Sequence, residues 1–215
     1  MKASSEKCLL HNAVILLIYV SFCALSKHFI SLSTTFFALH NILILTLSAV
    51  YMYYDFNTNI FKLKLTFSNC VRQILIGLGA AILLSLCFVC IAALFEDVSL
   101  LPQLQEPLNI PGMIIFVSLQ MIIALAEEAF FNYYLCDTLI LLLRGNAVLS
   151  FIADALLFSL LHWAANGKLK QAGIAFVFRS IALLIRKRLH RENTFYICSG
   201  MHFFYNLMAY LVFSI

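Results

Sequence analysis

Charged residues are scarce in this 215-residue chain: they make up 11% of it, whereas a soluble domain has about 25%. Hydrophobic residues make up 63%, against about 45–50% in a soluble domain. One compact core cannot bury that much apolar surface, so the remaining solvent is lipid. The composition therefore predicts an integral membrane protein.

The sequence also shows no sign of a boundary between domains. The sequence has no repeat, low-complexity tract or long linker, and we expect a single membrane domain over residues 1–215. No basic stripe alternates with aromatic residues outside the apolar segments, which argues against a nucleic-acid partner. Lysines and arginines instead form short clusters at the ends of apolar runs, where anionic lipid headgroups of the bilayer favour them.

The cysteine pattern implies no disulfide framework, because seven is an odd number and most cysteines lie inside apolar runs. Cys87 and Cys90 form a Cys-x-x-Cys pattern, which suggests redox chemistry in a soluble βαβ context. Since this pair lies in the middle of an apolar run, we expect two small apolar residues packed between helices.

Seven apolar runs are candidates for membrane helices, because about 20 residues cross the hydrocarbon and backbone polar groups must pair internally. The predicted fold class is therefore an all-α, polytopic bundle of about seven transmembrane helices. The first run resembles a secretory signal, but no Ala-x-Ala site follows it and we expect a retained helix. The fourth is long enough to pass beyond the bilayer or to break. The runs are Leu9–Leu25, Phe29–Tyr54, Gln73–Phe95, Gly112–Leu143, Ala147–Trp163, Ala172–Ile185 and Thr194–Phe213.

The distribution of basic residues predicts a cytosolic N-terminus and an outside C-terminus, by the positive-inside rule. With that orientation the inside segments hold Lys2, Lys7, Lys62, Lys64, Arg72, Arg144, Arg186, Lys187, Arg188 and Arg191, whereas the outside segments hold Lys27, Lys168 and Lys170. We attribute the basic cluster Arg186–Arg191 to orientation and to lipid headgroups.

Polar side chains deep in the apolar runs need an explanation, because a charge at the bilayer centre costs about 3 kcal/mol or more. Pairs four residues apart share one helix face, and three such pairs predict a polar pocket between runs four, five and seven. They are Glu128 with Asn132, Phe158 with His162, and His202 with Asn206. The other buried polar candidates are His40, Asn41, Glu127, Asp137, Asp154 and Arg179. For His40 and Asn41 we expect hydrogen bonds between helices.

Two carboxylates, two imidazoles and an amide in a dry pocket suit the hydrolysis of an amide bond. One glutamate can act as general base on a water, and a histidine beside it can hold or polarise that water. Histidine and asparagine N–H groups can donate to a developing oxyanion. The same side chains are also ordinary ligands of zinc or iron, so a metal site is an alternative.

The three motifs resemble the CAAX-protease and bacteriocin-processing (CPBP) family, also called Abi, which includes the type II CAAX prenyl endopeptidases. The resemblance covers about residues 112–210, and it implies an intramembrane endopeptidase without a metal or other cofactor. It also implies that Glu127 activates water with help from His162, that His202 and Asn206 form the oxyanion hole, and that Glu128 is a supporting residue. The matching segments are Glu127-Glu-Ala-Phe-Phe-Asn132, Phe158-Ser-Leu-Leu-His162 and His202-Phe-Phe-Tyr-Asn206.

One position departs from the family pattern: Asn132 occupies the place of the motif arginine, and Tyr133 follows it where a small residue is common. Asparagine cannot neutralise Glu128, so we expect one of the adjacent glutamates to be protonated. We hypothesise that Arg179 supplies the missing charge. The alternatives for Arg179 are a pair with Asp154 or extension to the membrane edge.

The predicted depths in the membrane do not agree fully with a single site. At a rise of 1.5 Å per residue, His162 falls roughly 9 Å toward the outer side of Glu127 and His202.

The leading function is an endopeptidase acting on a peptide or membrane-anchored protein. The substrates would be prenylated CAAX proteins, or leader and bacteriocin-type peptides. The alternatives are a non-catalytic relative that acts as a scaffold or immunity protein, and a transporter or metal-binding channel that uses the same carboxylates and imidazoles.

Overall fold

The computed structural model describes residues 5–28, 34–58, 67–94, 109–189 and 194–212, and these ranges contain helices and no strand. The predicted all-α class is confirmed, and each of the seven apolar runs falls on a helix. Residues 29–33, 95 and 213, at the ends of three runs, lie outside the described part. The helices are α1 (Ser5–His28), α2 (Thr34–Phe56), α3 (Phe67–Leu94), α4 (Ile110–Leu142), α5 (Ala147–Asn166), α6 (Leu169–Arg188) and α7 (Phe195–Val212).

Five of these helices, α1 to α5, are long and apolar enough to cross a membrane. The chain is therefore a multi-pass integral membrane protein. In the described part, α6 and α7 are less apolar than these five, because α6 carries several basic residues and α7 carries His202 and Asn206, and that they cross the membrane stays a prediction. The predicted orientation of the two termini stays a prediction.

Helix α4 changes its winding where the site begins. It is α-helical over Ile110–Glu127, a π-helix over Glu128–Leu135, and α-helical again over Cys136–Leu142. Short π-helical turns are frequent at functional sites. The fourth run thus passes through the bundle without a break, and all eight residues of the π-helix are buried.

Local signals delimit α4 and α5. The side chain of Asn109 caps α4 by accepting a hydrogen bond from the Gly112 N–H at 2.9 Å. Asn146 caps α5 in the same way, accepting from the Leu149 N–H at 3.1 Å. Helix α5 ends at Gly167, whose φ of 70° lies in the left-handed region that glycine tolerates. A tight turn therefore separates α5 from α6 and sets them antiparallel.

The π-helix of α4 lies at the centre of the bundle, with α1 and α2 against one side and α5, α6 and α7 around the rest. Helix α3 packs along α7 over a long contact. Gly77 of α3 permits this approach, because a Cβ atom there would lie 2.8 Å from the Ile197 carbonyl oxygen and 2.9 Å from the Met201 nitrogen. The position of α7 thus depends on a glycine of α3.

Helix α1 joins the bundle through polar contacts as well as apolar ones. The Asn12 side chain donates to the Thr138 hydroxyl of α4 at 2.8 Å. Asp55 of α2 accepts hydrogen bonds from the His11 ring at 2.8 Å and from the Tyr134 hydroxyl at 2.6 Å. These buried contacts link α1, α2 and α4 into one unit.

Some sequence-based expectations about packing are wrong. The Asn41 amide donates within its own helix, to the Phe37 carbonyl at 2.9 Å, rather than to another helix. His40 does contact another helix, stacking on Phe22 of α1 with ring centroids 3.8 Å apart. Cys87 and Cys90 are exposed on α3 rather than packed between helices. Both differences arise because apolar composition predicts a membrane helix and leaves open which face of it is lipid-exposed.

Candidate active site

Glu127, Glu128 and His202 form the centre of the site. Glu127 is the last α-helical residue before the π-helix, and Glu128 is the first residue within it. The His202 ring of α7 lies between the two carboxylates. Its Nδ1 is 3.1 Å from Oε1 of Glu128, and its Nε2 is 3.6 Å from Oε2 of Glu127. All three side chains are buried, so the fourth and seventh helices meet as the motifs predict.

The second oxygen of Glu128 has two further partners. Oε2 accepts a hydrogen bond from Asn132 at 2.8 Å and from Nη1 of Arg179 at 3.3 Å. Arg179 also donates from Nε to Oδ1 of Asp154 at 2.6 Å. The side chains of Glu128, Asp154 and Arg179 are completely buried, so one guanidinium is shared by two carboxylates without contact with bulk water.

The Arg179 guanidinium contacts both of the acids that the sequence offered as alternatives, and it does not extend to a membrane edge because its side chain is 0% exposed. Two aromatic rings flank it: the centroids of Phe131 and Phe158 lie 5.7 Å and 5.5 Å from Cζ. Glu128 therefore has a cationic partner despite the asparagine at position 132.

His162 lies apart from this cluster. Its Nδ1 is 3.0 Å from the Phe158 carbonyl oxygen, and its ring packs against the Phe158 ring with centroids 4.2 Å apart. The Phe158 ring is also 6.4 Å from the ring of His202. Among the described residues no hydrogen bond joins His162 to Glu127. The Phe158 ring thus contacts His162 and also lies near His202, and the depth offset expected from the sequence stays a prediction.

Asn206 lies one turn beyond His202 on α7 and is half-buried. Its amide donates to Oε1 of Gln120 at 3.0 Å. Gln120 precedes Glu127 by seven residues on α4, so both face α7. The spacing of four between His202 and Asn206 thus places both on the face toward α4, as predicted.

Several residues of the site were missed in the sequence. The Tyr19 hydroxyl of α1 donates to Oε1 of Glu127 at 3.0 Å, and Gln120 contacts Asn206. The available signal was depth, because both are polar groups in the middle of apolar runs. Because tyrosine in a membrane protein is usually interpreted as an interfacial residue, Tyr19 was not recognised as part of the site.

A second buried ion pair lies beside the site and corrects the interpretation of the basic cluster. Arg186 is buried and pairs with Asp137 of α4, and it also donates to the Asn132 carbonyl oxygen. Its guanidinium lies over the Tyr133 ring at 4.8 Å. This arginine therefore holds α6 against α4, whereas its neighbour Lys187 is exposed.

Among the described residues, no three His, Cys, Asp or Glu side chains are grouped in a way that could hold a metal ion. The charged groups around Glu128 explain part of this result. Its Oε2 already accepts hydrogen bonds from the Asn132 amide and the Arg179 guanidinium, and Oε1 lies 3.1 Å from Nδ1 of the His202 ring.

A comparison with protein families supplies independent information about the region that builds the site. Residues 107–208 match the family described as type II CAAX prenyl endopeptidase, Rce1-like. Residues 107–208 are Rce1-like. This range is just under half of the chain, and it contains every motif residue from Glu127 to Asn206. No curated protein and no solved structure matches the chain.

The resemblance predicted from the motifs is thus confirmed at the level of the family. The match supports a protease at the family level, and a protease takes a peptide or protein as its substrate. The Rce1-like region comprises α4 to α7, and helices α1 to α3 lie outside it. Tyr19, which contacts Glu127, is therefore contributed by the part of the chain that the family match does not include.

Proposed function

We propose that this protein is an intramembrane endopeptidase that hydrolyses a peptide bond with a water activated by Glu127. The observation that carries the proposal is the meeting of Glu127, His202 and Glu128 at the buried end of the first α-helical part of α4. A dry site strengthens each electrostatic interaction within it. The match to an endopeptidase family supports the same reaction class.

Glu127 has the geometry of a general base. Its Oε1 accepts a hydrogen bond from Tyr19, whereas its Oε2 accepts none from the described residues and points toward Nε2 of His202 at 3.6 Å. A water at hydrogen-bonding distance from Oε2 could give up its proton to that oxygen and attack a carbonyl carbon. The carboxylate would then pass the proton to the leaving amine.

His202 and Asn206 are the proposed oxyanion donors. Nδ1 of His202 is held by Glu128, so its N–H points at a carboxylate. Donation from Nε2 to an oxyanion therefore requires the ring to carry both protons. Asn206 offers an amide N–H one turn along the same helix, where Gln120 orients it. Two donors on one face match the needs of a tetrahedral intermediate.

His162 is the proposed assistant of Glu127. Because Nδ1 points at the Phe158 carbonyl, the proton of the neutral ring lies on Nδ1 and the Nε2 lone pair is free to accept one. The Nε2 lone pair could accept a hydrogen bond from a water molecule. That water would connect His162 to Glu127 alongside the Phe158 ring.

Glu128, Asn132 and Arg179 are proposed as supporting groups. Arg179 lies against Glu128, and Glu128 in turn orients His202 through Nδ1. Arg179 would thus replace the family's motif arginine from a different helix. This arrangement weakens the argument that the asparagine at position 132 disables the site.

We propose further that the reaction uses no resident metal. The oxygens of Glu128 are engaged by Arg179, Asn132 and His202, and a divalent cation would have to compete with the adjacent guanidinium. Activity should then survive a chelator such as EDTA. Loss of peptide cleavage in EDTA, with recovery on adding zinc, would favour a metal-dependent site.

The decisive test measures cleavage by the full-length protein reconstituted in liposomes. The probes are a farnesylated peptide ending in Cys-aliphatic-aliphatic-residue and the same peptide without the farnesyl group. Replacing Glu127 with glutamine removes the base at nearly constant shape. We expect Glu127→Gln to lower kcat by about 10²- to 10⁴-fold.

Glu6→Gln is the matched control, because it makes the same change at an exposed position of α1. It should leave kcat unchanged. If Glu127→Gln cleaves as fast as wild type, the proposed mechanism is wrong. A cellular phenotype that survives Glu127→Gln would instead favour the alternative of a non-catalytic scaffold or immunity protein, which the loss of the motif arginine suggests.

A further inference from the structure

The hydrogen bond between Tyr19 and Glu127 joins the first helix to the proposed base. The Tyr19 hydroxyl lies 3.0 Å from Oε1 of Glu127. The tyrosine side chain is buried, and α1 lies outside the Rce1-like region. A phenol that points at a carboxylate in the bundle interior makes a charge-assisted hydrogen bond, which is stronger than a neutral one.

The hydroxyl makes the two oxygens of Glu127 inequivalent. Oε1 is occupied by Tyr19, and Oε2 is directed toward His202. A carboxylate without such a donor can rotate about its terminal torsion, which is broad and roughly two-fold. Tyr19 therefore restricts the rotation that would turn the basic oxygen away from the reacting atoms.

Aromatic neighbours hold the Tyr19 ring in place. It meets the Phe131 ring edge to face, with centroids 5.9 Å apart, and lies 6.0 Å from the ring of His40. Phe131 in turn packs against Phe158 with centroids 5.0 Å apart. The tyrosine is thus part of the same aromatic wall that lines the motif residues of α4 and α5.

Helix α1 is held against α4 at a second point. The side chain of Asn12 donates to Thr138, two turns of α1 away from Tyr19. With contacts to both the first and the last part of α4, α1 spans the π-helix and cannot shift along it without breaking a buried hydrogen bond. The position of the Tyr19 hydroxyl is therefore determined by more than its own side chain.

We propose that Tyr19 is a positioning residue of the protease: its hydroxyl fixes the rotation of Glu127, so that α1 completes a site whose other members lie in the Rce1-like region. This inference rests on the proposed function of Glu127. Tyr19 acts through Glu127 and does not itself contact the reacting atoms, so its loss should affect the rate of the chemical step more than substrate binding.

The test compares Tyr19→Phe with Tyr134→Phe in the full-length protein, using the farnesylated peptide as the probe. Both substitutions remove a buried hydroxyl that donates to a carboxylate, Glu127 in the first case and Asp55 in the second. We expect Tyr19→Phe to lower kcat about tenfold, as the loss of one charge-assisted hydrogen bond predicts. KM should stay within about twofold of wild type, and Tyr134→Phe should keep the wild-type kcat.

Rates are expressed per folded protein, measured by gel filtration in detergent. An unchanged kcat in Tyr19→Phe would overturn the proposal. So would a loss of folded protein in Tyr19→Phe that Tyr134→Phe does not show, because the hydroxyl would then serve stability alone. If wild type cleaves no faster than Glu127→Gln, the proposed function fails, and the role of Tyr19 fails with it.

Discussion

At the scale of single residues, one buried arginine supplies the positive charge beside two buried acids of the site. Arg179 contacts both Glu128 and Asp154, with no exposed surface on any of the three side chains. Separate buried carboxylates without a cation would be strongly unfavourable. The arginine therefore stabilises a pair of acids that belong to two different helices, α4 and α5.

Replacing Arg179 with glutamine should destabilise the protein strongly, because two buried carboxylates lose their cation. Breaking a buried ion pair by removing one partner costs about 3–5 kcal/mol. We expect a large fall in the thermal midpoint in detergent, together with loss of peptide cleavage. The measurement is intrinsic fluorescence or circular dichroism during heating.

Lys187→Gln is the control for Arg179→Gln, since it removes one positive charge from an exposed position of the same helix. Its effect should stay within about 0.5 kcal/mol. If Arg179→Gln melts and cleaves like wild type, the guanidinium does not neutralise Glu128 in the way that its contacts imply.

At the scale of helices, the packing of α3 against α7 sets the position of His202 and Asn206. The two helices approach closely at Gly77, next to the backbone of Ile197, Gly200 and Met201. Met201 directly precedes His202. A displacement of α7 at this point therefore moves the proposed oxyanion donors relative to α4.

Gly77→Ala should separate α3 from α7, because the added Cβ would lie under 3.0 Å from two backbone atoms of α7 that cannot yield independently. Overpacking of this kind costs about 1–3 kcal/mol. A displacement of the donors on the order of 1 Å can lower the rate by about 10²-fold. Thermal stability and peptide cleavage measure the two effects.

Gly79→Ala offers a matched control on the same helix, since a Cβ atom there would meet nothing within 4 Å. It should leave both stability and activity close to wild type. Equal behaviour of the two alanine variants would mean that α3 and α7 can separate without cost to the site.

At the scale of the whole molecule, the sequence predicted the helices and the meeting of α4 with α7 well. Apolar composition and the spacing of four residues are properties of one helix at a time, and both can be read locally. The pairing of Arg179 with Asp154 and Glu128 could be proposed only as alternatives, because it depends on how three helices pack.

Other features lay beyond a linear pattern. The π-helix at Glu128–Leu135 has no composition that distinguishes it from an α-helix. Tyr19 reaches Glu127 across 108 positions of sequence separation, and no spacing rule links the two. Arg186 belongs to a basic cluster in the sequence, yet it is buried against Asp137 because α6 turns that one face inward.

The arrangement of the chain in the membrane can be tested with single cysteines at exposed positions. The positive-inside rule places Lys168 outside and Lys187 inside, and both side chains are exposed. In intact cells, a membrane-impermeant thiol reagent should label Lys168→Cys and not Lys187→Cys. Wild type gives the background from the native cysteines. Labelling of Lys187→Cys in sealed cells would reverse the predicted orientation.

The ion pair between Arg179 and Asp154 also has a consequence for biogenesis. Alone, α6 would enter lipid at a cost of about 3 kcal/mol for its central arginine. Both acids that neutralise Arg179 precede it in the chain, on α4 and α5, so the ribosome makes them first. The short turn at Gly167 lets α6 fold back on α5 as it emerges. The two helices can therefore be inserted as a hairpin in which Arg179 is already paired with Asp154, rather than one after the other.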